Sequence, residues 1–478
     1  MGNWLSRAFD DDGRLNGPAP SAILHRDVTR VPLTVYTDKG NWLQLSDGAC
    51  VYDASGGAAV SNLGHGYKVR IWDAMARVFF GSVDYIASLS FTTSIEKRLS
   101  VALIETTRGL FSKVIFYNSG SDGIEAAMKM ARQYHVEREG KDSERTWFIS
   151  REQSYHGNTL GALALSGHKA RRKIYEPMLA KNVRHISACN QYRDRGQNES
   201  TEDYVARKAQ ELENMFQEVG PKKVIAVALE PVSGASMGCV APPPGYIKAL
   251  KAVCRRHGAL LIGDEIMCGM GRTGTWHAYQ QEVEGSQPDI LVMGKGLAAG
   301  AQPISAMLVS QQIVDVLGKG SKCFVHGHTF QNHPLACAAA LEVVNIIQDE
   351  RLLENVVRIG DLLEKLLHEK LDHLVGVGNI RGRGCFQGVE FVENKVTKTP
   401  FRPDQHVAAR IHEKALGPDY QIYVYPGTGT ANGEEGDHII IAPPFNATEA
   451  DIRWLVDRVA KVIIDYFGQD EKTDTSES

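Results

Sequence analysis

The stretch Ala259–Gly300, ALLIGDEIMCGMGRTGTWHAYQQEVEGSQPDILVMGKGLAAG, decides how the rest of the chain is organised. It contains two apolar runs, Ala259–Gly263 and Asp289–Met293, and each is short enough to be a buried strand. The first run is followed at once by Asp264 and the second, after one glycine, by Lys295. Because buried charges are costly, an acid and a lysine at the ends of neighbouring strands indicate a site that uses both.

One chemistry that needs this pair is a lysine holding pyridoxal phosphate as a Schiff base, with an aspartate on the pyridinium nitrogen. Lys295 lies between Gly294 and Gly296, which leave room for a planar adduct. Burial lowers the pKa of a lysine enough for it to attack a carbonyl. Asp264 would keep the pyridine nitrogen protonated, so that the ring accepts electrons. The alternatives at this point are a lysine in an exposed turn and a structural acid at a strand end.

Composition restricts the class of protein. The 478 residues include 53 Lys and Arg against 57 Asp and Glu, so the net charge of −4 gives no reason to expect a nucleic acid as partner. The eight cysteines form no C-x-x-C pair, which favours free thiols in a reducing, cytoplasmic setting. No apolar run is long enough to predict a membrane span. Gly2 and Ser6 fit a loose N-myristoylation pattern that chance also produces, and we do not expect the modification.

The alternation of helical and apolar segments predicts an α/β fold with a mostly parallel central sheet flanked by helices. We expect strands at Val114–Tyr117, Thr146–Ser150 and Val224–Leu229, in addition to the two around Asp264 and Lys295. From about residue 322 the pattern changes. Long helices at Pro334–Gln348 and Arg351–Leu371 are followed by short strands at Gly388–Phe391, Gln421–Tyr425 and His438–Ala442.

This pattern divides the chain into three predicted regions. Residues 1–60 are expected to contribute to a small domain, and residues 61–321 to form the large domain. Residues 322–478 are expected to form a C-terminal α+β domain. The tail from about residue 469 is polar and rich in Ser and Thr, which predicts disorder.

Other motifs were weighed against simpler explanations. Asn118–Gly123 joins a strand to a helix and suits an anion at the helix N-terminus, although an ordinary helix cap has the same pattern. Gly269–Gly274 fits G-x-G-x-x-G, but no helical pattern follows, so a glycine turn is preferred to a dinucleotide site. The histidines of His326–His333 lack partners at metal spacing, and no metal site is expected.

Together, the order and spacing of these motifs from about Asp53 to Pro444 resemble the class III pyridoxal-phosphate-dependent aminotransferases, the omega-aminotransferase group of fold type I. The resemblance implies that Lys295 is the Schiff-base lysine and Asp264 the pyridinium partner. It also implies that Thr329 completes the phosphate site of the other subunit, because this family builds its sites at a homodimer interface. The residues expected to bind the cofactor are Ser119, Gly120, Ser121, Tyr155, His156, Glu230, Asp264, Ile266, Lys295 and Thr329.

The chain departs from the family pattern in places that concern the substrate. Ala59 stands where many relatives carry a bulky aromatic, which suggests a pocket for a larger substrate. The loop Tyr425–His438 lacks the arginine that many relatives use for a substrate carboxylate. This favours pyruvate or another acceptor over 2-oxoglutarate, unless Arg381 or Arg383 substitutes. The candidate residues of the substrate pocket are Ala59, Tyr85 and Arg381.

The leading hypothesis is therefore an aminotransferase that moves an amino group from an amine or amino acid to a carbonyl acceptor. A racemase or decarboxylase on the same scaffold is the alternative that uses the same lysine. A non-catalytic binding protein that kept the fold is the alternative from another class, and the presence of both Lys295 and Asp264 argues against it.

Overall fold

A computed structural model describes residues 22–473, the last five as backbone only. The predicted site of N-myristoylation at Gly2 lies outside the described residues. The strands are β1 Val35–Lys39, β2 Trp42–Leu45, β3 Cys50–Asp53, β4 Lys113–Tyr117, β5 Trp147–Arg151, β6 Val183–Ile186, β7 Val224–Leu229, β8 Leu260–Asp264, β9 Ile290–Met293, β10 Ser305–Val309, β11 Val377–Gly382, β12 Gln387–Phe391, β13 Ile422–Tyr423, β14 Tyr425–Thr428 and β15 Asp437–Ile441.

The helices vary from single turns to more than twenty residues. They are α1 Gly56–Ala59, α2 Lys68–Gly81, α3 Ser94–Thr106, α4 Gly120–Glu139, α5 Leu160–Leu165, α6 Lys169–Arg172, α7 Gln191–Asp194, α8 Thr201–Val219, α9 Tyr246–Arg256, α10 Gln311–Lys319, α11 Pro334–Asp349, α12 Leu352–Leu371, α13 Val407–Ala415 and α14 Glu449–Thr473. Among the residues described, none of these helices is long and apolar enough to cross a lipid bilayer.

The central sheet has seven strands in the order β4-β10-β9-β8-β7-β5-β6. Its strands are parallel except for β10, which runs antiparallel to both of its neighbours. The side chains of β7, β8 and β9 are buried along their whole length, since helices cover both faces of the sheet. The prediction of a mostly parallel sheet flanked by helices is confirmed.

Helix α4 lies on one face of this sheet, and α8 and α9 lie on the other. At its first turn α4 approaches the sheet closely, because a Cβ on Gly123 would lie 2.8 Å from Cγ1 of Val292 in β9. On the opposite face, Leu212 and Phe216 of α8 pack with Leu250 of α9 in a buried apolar cluster. Helices therefore pack closely on both faces of β8 and β9, and this packing fixes where the residues at the ends of these strands lie.

Two smaller sheets join distant parts of the chain. In the first, of order β1-β2-β3-β13, the N-terminal strand β3 pairs in parallel with β13. The second is antiparallel, of order β11-β12-β15-β14. The single strand expected at Gln421–Tyr425 is divided at Val424, where the chain passes from one small sheet to the other. Strand β11 was not expected from the sequence.

Two features of the structure concern the predicted C-terminal domain. Helix α11 packs against α2 and α3, so the boundary expected at residue 322 precedes a helix that contacts the N-terminal half of the chain. Disorder of the tail from about residue 469 stays a prediction, since α14 extends to Thr473 and residues 474–478 lie outside the described residues. The glycine turn Gly269–Gly274 leads to a short 3-10 helix at Ala278–Gln281, as expected for a turn that does not open a long helix.

Candidate active site

A cavity of about 550 Å³ lies at the carboxyl ends of the central parallel strands. Asp264 is the last residue of β8, Glu230 directly follows β7, and Lys295 is two residues beyond β9. All the residues predicted to bind a cofactor, except Thr329, line this one cavity. The strand ends that the sequence singled out therefore converge on a common space.

Asp264 is buried and has two hydrogen-bond partners. Its Oδ2 lies 2.8 Å from Nδ1 of His156, and its Oδ1 accepts a hydrogen bond of 3.1 Å from the backbone N–H of Ile266. The His156 ring is also buried, and its Nε2 has no hydrogen-bond partner in the part of the chain that the structure describes. These contacts fix the orientation of the carboxylate in the cavity.

Lys295 has a backbone and an electrostatic environment that differ from those of an ordinary surface lysine. Its φ of 42° lies in the left-handed region, where the chain turns into a short 3-10 helix at Lys295–Leu297. Burial lowers the pKa of its ammonium group to about 8, although the carboxylates of Asp264 and Glu230 oppose this shift. At pH 7 about one such amine in ten is therefore neutral, a far larger fraction than for an ordinary lysine, and a neutral amine is a nucleophile.

The N-terminus of α4 forms another wall of the cavity. The Ser119 hydroxyl caps the helix by accepting a hydrogen bond of 3.2 Å from the backbone N–H of Asp122. The Ser121 hydroxyl donates to Oδ1 of Asn158 at 2.9 Å and accepts from the backbone N–H of Asn158 at 3.0 Å. Free N–H groups and hydroxyls at a helix N-terminus stabilise an anion such as a phosphate.

The walls of the cavity approach each other so closely at two glycines that a side chain there would collide with its neighbours. A Cβ on Gly120 would lie 2.7 Å from Cδ1 of Ile266 and 2.9 Å from its Cγ2. Gly157 has a φ of 144°, and a Cβ there would lie 2.6 Å from the Ser121 hydroxyl. The side chain of Ile266 consequently lies directly against the turn that begins α4, on the floor of the cavity.

Tyr155 and Glu230 are held together on the next strand ends. One carboxylate oxygen of Glu230 accepts from the backbone N–H of Tyr155 at 3.4 Å, and the other accepts from Gly234 at 3.2 Å. Burial raises the pKa of the Glu230 carboxyl, while the charge of His156 acts in the opposite direction. The guanidinium carbon of Arg171 lies 4.5 Å from the centroid of the Tyr155 ring.

Comparison with known proteins decides the family. The sequence pattern of the class III aminotransferases matches residues 23–463. The chain belongs to the class III aminotransferases. It is 46% identical to an aminotransferase of Gibberella zeae over 97% of this chain and 89% of that protein. An uncharacterized aminotransferase of Schizosaccharomyces pombe is 42% identical over 90% of this chain and 92% of the relative.

The fold of this aminotransferase is also found among solved transaminases. The omega transaminase of Pseudomonas jessenii, solved in complex with PMP, superimposes with a TM-score of 0.83. It is 30% identical, and the match covers 92% of this chain and 93% of the other. The predicted family, fold type and class of enzyme are therefore confirmed.

Two residues predicted for the substrate pocket of the aminotransferase do not line this cavity. Ala59 is 3% exposed and belongs to a buried cluster behind the cavity, whereas its neighbours Ala58 and Val60 line the cavity. Arg381 does not reach the cavity. It donates to the backbone carbonyl of Gly238 at 2.9 Å and forms an ion pair of 2.5 Å with Glu390.

Arg383, the other arginine considered for the substrate carboxylate, is also occupied elsewhere. It donates to Oε1 of Glu282 at 2.8 Å and to the carbonyl of Pro242 at 3.2 Å. Two other arginines, Arg26 and Arg171, line the cavity instead. Sequence reasoning missed both of them. The run His168–Lys173 contained a signal, since five of its six residues are basic or histidine.

Tyr85 and Thr329 lie together, away from the cavity of their own chain. The Tyr85 hydroxyl donates to the carbonyl of Thr329 at 3.2 Å, and the Tyr85 ring is 6.0 Å from the ring of Phe330. Thr329 is exposed. The histidines near it do not form a metal site, because within residues 22–473 no three His, Cys, Asp or Glu side chains are arranged to hold a metal ion.

Proposed function

We propose that this chain is an aminotransferase that binds pyridoxal phosphate through a Schiff base to Lys295 and transfers an amino group from an amine or amino acid to a carbonyl acceptor. The observation that carries the proposal is the convergence of Lys295 and Asp264 on one cavity. Membership of the class III family supports it. When bound, the cofactor supplies an electron-accepting ring that stabilises a carbanion next to nitrogen.

The shape and donors of the cavity suit that cofactor. Ile266 and Tyr155 both line the cavity, and the planar ring would lie between them. The N-terminus of α4 with Ser119 and Ser121 would hold the phosphate group. Asp264, fixed by His156, would hold the proton of the ring nitrogen.

The residues of the chain then have distinct tasks. The Nζ of Lys295, once an incoming amine has displaced it, is the base that takes a proton from the substrate carbon bearing nitrogen, and later the acid that returns one. Its lowered pKa, about 8, allows both roles near neutral pH. Glu230 stays close to Asp264 and Tyr155 and maintains the geometry of the strand ends.

We infer further that the enzyme is a homodimer with shared active sites. Thr329 and Tyr85 lie on a surface with many exposed apolar side chains, which is unusual for a monomer. In the dimer, Thr329 of one subunit would complete the phosphate site of the other. The exposed apolar side chains in the segments 69–91 and 325–330, which contain Tyr85 and Thr329, are Val69, Trp72, Phe79, Phe80, Val83, Leu89, Phe91, Val325 and Phe330.

A half-reaction test distinguishes this function from its alternatives. The holoenzyme is mixed with one amine at a time, without acceptor, and the cofactor spectrum and the released carbonyl product are followed. We expect conversion to the pyridoxamine form with one carbonyl released per site, and no conversion by Lys295→Ala. Racemisation or release of carbon dioxide without stable pyridoxamine formation would contradict transamination. Failure of the wild-type chain to bind the cofactor would indicate a binding protein.

A further inference from the structure

Arg171 is a cation at the cavity, and among the described side chains it has no anionic partner. It lines the cavity, and its guanidinium lies 4.5 Å from the centroid of the Tyr155 ring. Across residues 22–468 it makes no hydrogen bond and no ion pair with another side chain, and its charged group instead stacks on the Tyr155 ring. The adjacent Arg172 is different, since it donates to the carbonyl of Ala164 at 2.8 Å and pairs with Glu176 at 3.2 Å.

The loop that lacks the arginine typical of relatives fixes the helix that carries Arg171. The backbone N–H of Ala170 in α6 donates to the carbonyl of Gly433 at 3.2 Å. Nε2 of His168 lies 3.2 Å from the carbonyl of Thr428. A Cβ on Gly429 would lie only 2.9 Å from the same His168 nitrogen, so loop and helix are tightly packed.

The loop is itself anchored near the cofactor residues. Nε2 of Gln153 donates to the carbonyls of Gly429 and Thr430, at 3.0 and 2.8 Å. Gln153 is two residues before Tyr155. The loop therefore connects the end of β5 with α6, and it holds Arg171 over the ring of Tyr155 rather than contributing a cation of its own.

The charge of Arg171 also reaches the reacting lysine. It contributes to the lowering of the Lys295 pKa, after the larger effect of burial, while Asp264 and Glu230 raise this pKa. The cavity thus contains carboxylates for the cofactor ring and a guanidinium with no carboxylate of its own. A planar guanidinium with free N–H groups matches the two oxygens of a carboxylate.

We propose that Arg171 binds the carboxylate of the substrate, so that the preferred donors and acceptors are amino acids and keto acids rather than amines without a carboxylate. This inference rests on the proposed aminotransferase function and names its substrate class. Arg171, held by α6 and the Thr428–Gly433 turn, would bind the carboxylate. Arg381 and Arg383 cannot do so, because each is hydrogen-bonded elsewhere.

The anion that Arg171 binds could also be the phosphate of the cofactor. The following experiment distinguishes the phosphate from the substrate carboxylate. The full-length holoenzyme is compared with Arg171→Gln, Arg171→Lys and the control Lys173→Gln. Lys173 is on the same short segment and 77% of its side chain is exposed. Single-turnover half-reactions are measured with 6-aminohexanoate and with hexylamine, which differ only in the carboxylate.

We expect the wild-type enzyme to prefer 6-aminohexanoate, and Arg171→Gln to reduce the ratio of the two rate constants by about 10- to 100-fold, as the loss of a charge-assisted hydrogen bond implies. Arg171→Lys should recover part of the ratio, and Lys173→Gln should leave it unchanged. Calorimetric titration with hexanoate, which cannot react, should show the same loss of affinity in Arg171→Gln.

Several outcomes would overturn the inference. An unchanged ratio in Arg171→Gln would do so, as would equal losses on both donors, or a loss of the ratio in Arg26→Gln alone. Weaker binding of pyridoxal phosphate with normal hexanoate binding would assign Arg171 to the cofactor phosphate. These outcomes differ from failure of the proposed function, in which the wild-type enzyme converts no amine at all.

Discussion

Oδ2 of Asp264 is 2.8 Å from Nδ1 of His156, and both side chains are buried. The histidine holds the carboxylate in position without occupying its second oxygen, which receives only the backbone N–H of Ile266. A carboxylate held in this way keeps its orientation before any ligand is bound. This pre-organisation is the physical basis of the first prediction.

Asp264→Asn should slow transamination by about 10- to 100-fold, because the neutral amide cannot stabilise a protonated ring nitrogen and a charge-assisted hydrogen bond contributes about 1.5–3 kcal/mol. The melting temperature of the cofactor-free protein should change little, since the amide fills the same space. Single-turnover rates and thermal unfolding provide the measurements. A variant within threefold of the wild-type rate would show that Asp264 is structural.

The pH at which pyridoxal phosphate attaches should reflect the lowered pKa of Lys295. The rate of attachment, trapped by borohydride reduction and read by mass spectrometry, should rise with pH and reach half its maximum near pH 8. Lys295→Ala should show no trapped cofactor. A midpoint near that of a free lysine would mean that the amine is accessible to solvent.

The same pKa has a consequence for stability. Between pH 8 and the ordinary lysine value, the unfolded chain binds the proton that the folded chain has released. The free energy of unfolding of the cofactor-free wild type should therefore rise with pH through this range. Lys295→Met should be more stable than the wild type below pH 8, and the advantage should shrink towards pH 10.5. An advantage independent of pH would contradict this account.

Gly120→Ala should lower both stability and cofactor affinity, because its Cβ would lie 2.7 Å from Cδ1 of Ile266. Overpacking of this kind costs about 1–3 kcal/mol. Denaturant unfolding and cofactor titration measure the two effects. Gly318→Ala, in α10 where nothing lies within 4 Å, is the control and should be neutral or stabilising. Addition of Ile266→Ala to Gly120→Ala should recover part of the stability.

Ala58 and Ala59 should respond differently to enlargement. Ala58→Leu should reduce the rate with bulky donors more than with small ones, because Ala58 lines the cavity. Ala59→Leu should mainly lower the melting temperature, since Ala59 is buried and has a φ of 60°. If Ala59→Leu changes donor selectivity without loss of stability, the cavity wall includes both residues.

Hybrid dimers should reveal shared active sites. Lys295→Ala removes the Schiff-base lysine, and Thr329→Ala removes the hydroxyl that we propose for the neighbouring site. When the two variants are refolded together, about half of the dimers should be hybrids, each with one intact site. Activity should then exceed that of either variant alone. No gain in a mixture shown by native mass spectrometry to contain hybrids would place Thr329 outside the site.

The sequence indicated the main strands through their short apolar runs. The polar residues at the ends of these runs indicated a site, because burying a charged group costs free energy unless it has a partner. Asp264 and Lys295 could be identified in this way, because each directly ends or closely follows an apolar run, and burying a charge there costs free energy. The role of Arg381 could not be found, because it depends on Glu390 in a neighbouring strand and on the carbonyl of Gly238. A pattern along one chain does not show which arginine is paired in three dimensions.

Local conformation accounts for the other differences. Within α1 the dihedral angles of Gly57 and Ala58 are not helical. Ala58 lines the cavity as a result, and Ala59, which the sequence predicted there, does not. The apolar run Gln421–Tyr425 predicted one strand, but its pairing partners lie in different sheets. Side-chain alternation identifies a strand and does not identify its neighbours.

The parallel pairing of β3 with β13 has a consequence for the synthesis of the protein. Tyr52 is aligned with Ile422, so the first small sheet cannot be completed until nearly the whole chain has left the ribosome. Until then the edge of β3 is open, and an open edge can pair with another nascent chain. The emergence of Ile422 and Tyr423 is the event that closes this edge. In a chain truncated before β13, strand β3 near the N-terminus would lack its partner strand and keep an open edge.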